Sequence, residues 1–435
     1  MKSNNITSYA MKLSCAILLG IFMFGFILVS PPHNIERFED KLLISTLFSI
    51  LYTFGLALFC LDSKIQNIEL LYISAVFAAL IYLRVALLGY PSNDYTSFLN
   101  VWIEQMKPLS IKEALCEKIG DYNMPYLYFL LFVAKSGTYP LIYIKWFSCI
   151  FDVVMAYFIM KCVALKTKNR TVQHLSFILS LAIPTVFINS AYWGQCDSVL
   201  AALCVMSIYF SLKSNGIGAI ICYALAFSFK LQAIFILPVI VICFIVKRFK
   251  LWHIALFPSI FFLTLLPALL AGRGFINCIR IYFDQANQYP KITFNAPTVW
   301  RLFGNVGFEY FSSVAIMLAG IAAISLIYLV YKQQINLTNS SILELFYISS
   351  ILIPFILPRM HERYFYIADV LSVLVFFYDR KRFYVPLITI LSSMSSYFAF
   401  LLGQNVFEQK YTALALLILI ILSLKKYIEG VKKPV

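Results

Sequence analysis

The chain has 435 residues, 61% of them hydrophobic and only 13% charged. That balance excludes an ordinary water-soluble domain, because apolar runs of this length need a bilayer as their solvent. A formal net charge of +15 raises nucleic acid as a partner, but the basic residues are scattered in short loops between apolar runs, which points to acidic lipid headgroups instead.

A membrane span needs about 20 mostly apolar residues. The chain opens with a weakly basic start and an apolar run over 13–30. No small-x-small cleavage site follows, so this reads as an uncleaved first span. Spans at 42–61 and 68–88 come next, then a first large loop, 91–123. Within it Tyr95, Phe98, Leu99, Trp102 and Met106 recur at helical spacing, predicting an amphipathic helix on the bilayer surface. Ser110-Ile111-Lys112-Glu113 has capping-box spacing and opens a second short helix. The stretch 126–134 follows Met124-Pro125 and is short, so it reads as a half-helix dipping in and returning.

Further spans follow at 140–163, 174–190, 197–212, 217–229, 231–246, 251–271, 311–331, 342–357, 364–378, 383–402 and 411–424. The expected fold is all-α: a polytopic transmembrane bundle of about fourteen spans in a single domain, 1–435. Basic loops at 166–170, Lys213, 247–250, Lys332, 380–382 and the tail from Lys425 on share one face, which predicts a cytoplasmic face carrying both termini. The outer face then receives 91–123, 190–195, a second large loop at 272–310, 358–363 and 403–410. Most of the 10 cysteines lie inside apolar runs, where Cys acts as a small hydrophobe, and none has metal-ligand spacing. There is no internal repeat, Walker loop or Gly-x-Gly-x-x-Gly, so no nucleotide cofactor is expected.

Polar residues cost free energy beside lipid and usually mark a site. Asp94 precedes the surface helix, where it is either an N-cap or a general base for an attacking hydroxyl. In Trp193-Gly194-Gln195-Cys196-Asp197, either Asp197 caps a helix and Gly194 makes a turn, or the group offers a sugar an aromatic platform and hydrogen-bonding partners. Lys230, followed by Gln232, either snorkels or sits at a break in a helix lining a cavity. Arg359-Met360-His361-Glu362-Arg363 puts four ionisable groups on the outer face; it is either an anchoring loop or an anion clamp, since guanidinium pairs bidentately with phosphate. His361-x-x-Tyr364 lacks a zinc site's ligand set, so no metal is expected. The amide- and aromatic-rich 285–301 reads as a solvated loop or as a lid.

Six motifs in this order resemble the GT-C superfamily of membrane glycosyltransferases, most closely bacterial proteins related to the second mannosyltransferase of GPI-anchor synthesis. They are Asn93-Asp94-Tyr95 with Phe98 and Trp102, Gly120-Asp121-Tyr122-Asn123-Met124-Pro125-Tyr126, Trp193-Gly194-Gln195-Cys196-Asp197-Ser198, Ser228-Phe229-Lys230-Leu231-Gln232, Asn295-Ala296-Pro297, and Met360-His361-Glu362-Arg363-Tyr364-Phe365-Tyr366. The resemblance implies a polyprenyl-phosphate sugar donor, an inverting metal-independent transfer, and an acidic base in the first outer loop, which maps onto Asp94. On that reading Arg359, His361, Arg363 and Lys230 hold the donor phosphate, while Asp121, Asn123, Trp193, Gln195, Asp197, Gln232 and Asn295 position sugar or acceptor.

The expected function is transfer of mannose or another hexose to an extracytoplasmic acceptor in cell-envelope glycan or glycolipid synthesis. The Ile-, Phe- and Lys-rich usage suggests an AT-rich bacterial genome, hence a plasma-membrane enzyme using undecaprenyl phosphate. The rivals are a flippase or transporter of lipid-linked sugars, a surface-polysaccharide polymerase or ligase, and a non-catalytic scaffold. A transporter predicts charges near mid-membrane and paired repeats.

Overall fold

The computed structural model describes residues 2–32, 34–61, 65–287, 291–304, 307–333 and 337–432. Among them, nine helices are long and apolar enough to cross a membrane, and a tenth span arises if the bent pair Arg170–Leu181 and Pro184–Trp193 counts as one. Shorter apolar helices cover Met124–Lys135, Asp197–Leu212, Gly216–Phe229, Leu231–Ile245 and Tyr366–Tyr378. Large apolar side chains face outward along the long helices: Phe22, Leu270, Ile324 and Tyr328 are all exposed. A continuous apolar exterior of this kind is tolerated only against lipid. The protein is an all-α integral membrane protein.

Local sequence explains where the helices start and stop. Asn169 Oδ1 accepts from Val172 N at 3.3 Å, Asn215 Oδ1 from Gly218 N at 3.1 Å, and Thr338 Oγ1 from Ser341 N at 3.2 Å. Each cap satisfies one of the N–H groups that a helix start leaves without a partner. The Ser110 box forms as its spacing predicts: Ser110 Oγ accepts from Glu113 N, and Glu113 Oε2 accepts from Ser110 N at 2.8 Å. The Leu256–Ala271 helix ends at Gly272, whose φ of +111° is left-handed.

Three differences from the sequence reading bear on the site. The helical stripe of the first loop turns inward: Tyr95, Leu99, Ile103 and Met106 are buried against the Met124–Lys135 helix, and Phe98 is exposed. A π-helical turn over Tyr95–Leu99 shifts the register, so the buried face steps by four from Tyr95 to Ile103 and by three from there to Met106. Second, the 272–310 loop contains a helix, Phe275–Asn287, whose Cys278, Ile281 and Tyr282 are buried. Residues 288–290 of that loop lie outside the described residues. Third, the strands Thr293–Phe294 and Met360–His361 pair in parallel, tying the second loop to the Arg359–Arg363 segment.

The Pro140–Ala164 helix is central to the bundle. It packs against Phe38–Cys60, Arg170–Leu181, the π-helical Ile188–Trp193 and Asp197–Leu212. Beside it the segments that carry Asp94, Trp193–Asp197, Lys230 and Arg363 converge.

Candidate active site

Asp94 and Asp197 anchor the convergence. Asp94 stands at the entry of the Tyr95–Leu99 turn in helical geometry and makes no cap bond; Ser92 Oγ accepts from Tyr95 N instead. The N-cap reading of Asp94 therefore fails. Its Oδ2 accepts from Trp193 Nε1 at 3.0 Å and from Gln195 Nε2, with Arg363 Nη1 at 3.4 Å. Among the described residues every one of these contacts falls on Oδ2, which leaves Oδ1 open. The Asp94 side chain is 19% exposed, enough for a substrate to reach it.

Gly194 makes these contacts possible. It lies between Trp193 and Gln195 with φ +79°, a left-handed turn that L side chains resist. The turn aims both side chains at the same carboxylate. Trp193 is fully buried, stacks on Phe400 and meets Tyr397 edge-on, so its indole N–H cannot swing away. Gln195 Oε1 is held in turn by Tyr122 OH at 3.1 Å, which fixes the amide orientation.

Asp197 occupies the first position of its helix, and its carboxylate is turned to other partners. Oδ1 pairs with Lys230 Nζ at 2.6 Å; Oδ2 accepts from Asn189 Nδ2 at 2.9 Å and lies 3.3 Å from Arg363 Nε. Lys230 sits at an extended break between the Gly216–Phe229 helix and the Leu231–Ile236 3-10 turn, as a broken helix predicts. It is buried rather than snorkelling, with its ammonium 5.4 Å from the centroid of the Tyr122 ring. Arg363 bridges the two aspartates and lies over the Trp193 ring at 5.5 Å. Two carboxylates and two cations thus form one compact, nearly neutral network.

The remaining expected residues surround this network. Asn123 donates to Phe229 O at 3.3 Å, next to Lys230, and Gln232 lies against Tyr364. Asn295 bridges to His361 by its backbone, and His361 stacks on Phe294 with ring centroids 4.7 Å apart. Burial, together with the positive charges of Arg363 and Lys230, pushes the His361 imidazole down to about 3. It is neutral at physiological pH, so it can offer an anion an N–H but no charge. Arg359 is half-buried with a left-handed φ of +61°, strain of the kind found at functional sites. Asp121 is half-buried beside Tyr122.

Sequence reasoning quoted Glu362 without giving it a role. Its side chain is 1% exposed, and Oε1 lies 3.6 Å from Arg363 Nη1. Burial pushes its carboxyl up to about 7, against the pull of Arg363, with Asp94 and Asp197 adding to the rise. The native carboxyl therefore holds its proton to higher pH than the unfolded chain does. The stability it contributes is complete below about pH 4 and is lost as pH rises through about 7. Wild-type melting temperature should fall from about pH 5 to 8, and Glu362→Gln should flatten that profile. An unchanged slope in the variant would assign the titration to another group.

Also missed were Tyr122, Asn189 and Tyr397, and the charges inside apolar helices: Arg84, Lys145, Asp152 and Asp369, all fully buried or nearly so. Arg84 and Asp152 form an ion pair at 2.9 Å, and Ser190 Oγ donates to Asp152 Oδ2 at 2.6 Å. A charge interrupting an apolar run was the available signal. Among the described residues no group of three or more His, Cys, Asp or Glu could hold a metal ion. No protein-family model and no curated protein matches the chain.

Proposed function

We propose that the protein is a GT-C-type glycosyltransferase that moves a hexose from a polyprenyl-phosphate donor to an acceptor hydroxyl on the outer face of a bacterial plasma membrane. The observation that carries this reading is Asp94. It is a reachable carboxylate with one oxygen locked by Trp193, Gln195 and Arg363 and the other open, set among cations at one end of an apolar bundle. Asp94 Oδ1 takes the proton of the acceptor hydroxyl as its oxygen attacks C1 of the sugar. The C1–O bond to phosphate breaks from the opposite side, and its electron pair leaves with the polyprenyl phosphate. The leaving group is already anionic, and Arg363 and Lys230 offset its charge as it develops. His361 donates a neutral hydrogen bond at the same place, and Arg359 supplies a further cation at the rim.

The topology in this reading has about fourteen crossings, from the ten spans above and four of the shorter helices, with Met124–Lys135 as a half-helix. Both termini then face the cytoplasm. Asn93, Lys168, Lys381 and Gln404 are all exposed. In a background lacking Cys15, an impermeant maleimide should label cysteines at Asn93 and Gln404 from outside and miss those at Lys168 and Lys381. Labelling of Lys168 from outside would reverse the assigned face.

One observation favours the rival transporter: the Arg84–Asp152 pair lies inside apolar helices. That pair is held within the bundle, however: Arg84 also donates to Leu181 O at 3.0 Å, and Ser190 Oγ donates to the same Asp152 oxygen that Arg84 binds. Purified protein incubated with a panel of polyprenyl-phosphate hexoses decides between the two. A glycosyltransferase cleaves the sugar from the lipid, and a transporter leaves it attached.

A further inference from the structure

The Pro140–Ala164 helix carries a buried polar stripe at 145, 148 and 152, steps of three and four that share one face. Each position holds a different segment of the site. Asp152 grips Arg84 and Ser190; Ser190 lies within the Ile188–Trp193 turn. The Ser148 carbonyl accepts from Ser198 Oγ at 2.9 Å, next to Asp197. Lys145, fully buried, donates from Nζ to Leu87 O at 3.3 Å, Leu88 O at 2.9 Å and Tyr90 O at 2.7 Å. Among the described residues it has no carboxylate within ion-pair distance.

Lys145 is the member of the stripe that lies beside both segments of the Asp94 contact, the chain leading to Asp94 and the turn at Gly194. The carbonyls it binds follow the Asn67–Ala86 helix, where the negative end of the helix dipole favours a cation. Tyr90 is four residues before Asp94, so the lysine fixes the path along which the chain delivers the carboxylate. Its stem also runs beside the opposite partner. A Cβ built on Gly194 would lie 3.5 Å from Lys145 Cγ and 3.6 Å from Cε, ordinary contact distance, so the lysine stem lines the turn that aims Trp193 and Gln195.

We propose that Lys145 is a positioning residue that sets Asp94 against Trp193 and Gln195 and acts on catalysis only through that registration. The catalytic part of this proposal rests on the glycosyltransferase reading; the positioning part does not. A misplacement of about 1 Å at a reacting group can cost about 10²-fold in rate. Removing the ammonium should loosen the base while leaving the Arg363–Lys230 cation pair in place.

The test compares full-length wild type with Lys145→Met, which keeps the stem, and Lys145→Arg, which keeps a donor with positive charge. Two readouts are taken: hydrogen exchange of the backbone at 88–96 and 192–196, and the split between single-turnover rate and donor affinity. Lys145→Met should raise exchange in those two segments only and lower the single-turnover rate by about 10²-fold, with donor affinity within about threefold of wild type. Lys145→Arg should restore part of both. Unchanged exchange at 88–96 in Lys145→Met overturns the proposal. Parallel loss of rate and donor affinity with exchange raised throughout the chain also overturns it, as does failure of both variants to fold, since each assigns Lys145 to the general fold. If wild type cleaves no polyprenyl-phosphate sugar, the glycosyltransferase reading falls, and the exchange readout still decides whether Lys145 registers the two loops.

Discussion

Replacing Asp94 by asparagine should lower turnover by about 10²–10⁴-fold, the usual cost of losing a general base, while the protein folds and binds donor nearly as wild type does. Asparagine matches aspartate in size, and its Oδ1 can still accept from Trp193 Nε1 and Gln195 Nε2, which point at one oxygen of the native carboxylate. What it lacks is an oxygen able to take a proton. Loss of the charge also frees Arg363 from one of its two aspartates. Donor affinity should therefore hold or rise slightly, separating the variant from one that merely damages the site. Circular dichroism and melting temperature in detergent check the fold, and single-turnover transfer checks the chemistry. Near-normal transfer would move the search for a base to Asp121 or Asp197.

Arg363→Ala should have the largest effect on the integrity of the site. One guanidinium lies 3.4 Å from Asp94, 3.3 Å from Asp197 and 3.6 Å from Glu362. Its removal leaves the Asp94 and Asp197 carboxylates with Lys230 as the cation paired into the cluster, and breaking a buried ion pair from one side costs about 3–5 kcal/mol. Donor binding should weaken as well, by about 1.5–3 kcal/mol for a lost charge-assisted hydrogen bond. Arg363→Lys should recover stability better than affinity, because it keeps the charge and loses the fork. The double variant Arg363→Gln/Asp197→Asn removes charge of both signs and should regain much of the melting temperature without regaining affinity. Full donor affinity in that double variant would remove Arg363 from the phosphate-binding role.

The sequence carried the helices because each is an apolar run of bilayer length bounded by charges or by Gly and Pro. Asp197–Leu212 falls on the span read from the sequence, and the Met124–Lys135 helix is short, as its Pro125 and brief apolar run imply. Asp94, Trp193, Gln195, Asp197, Lys230 and Arg363 were legible because each is a polar interruption near the end of an apolar run, and they meet in one network. The partners that complete the network were not. Tyr397 reaches Asn189 across 208 positions of sequence, a contact with no local signature. Lys145 and Asp152 each stand alone among apolar neighbours, and an isolated charge in a long run is easily passed over although its burial is costly. The π-helical turns at Tyr95–Leu99 and Ile188–Trp193 change hydrogen-bond register without a distinguishing residue type. In the second loop, the helical spacing of the buried Cys278, Ile281 and Tyr282 is a short signal beside the amide-rich 285–301.

The most direct measurement follows the lipid product. Purified protein is given a polyprenyl-phosphate hexose and a hydroxyl acceptor in the presence of EDTA, and free polyprenyl phosphate is counted against new glycoside. Equal amounts of the two are expected, with insensitivity to the chelator and loss of both products together in Asp94→Asn. Intact donor after incubation across the panel of hexoses, or equal product formation by wild type and Asp94→Asn, would contradict it.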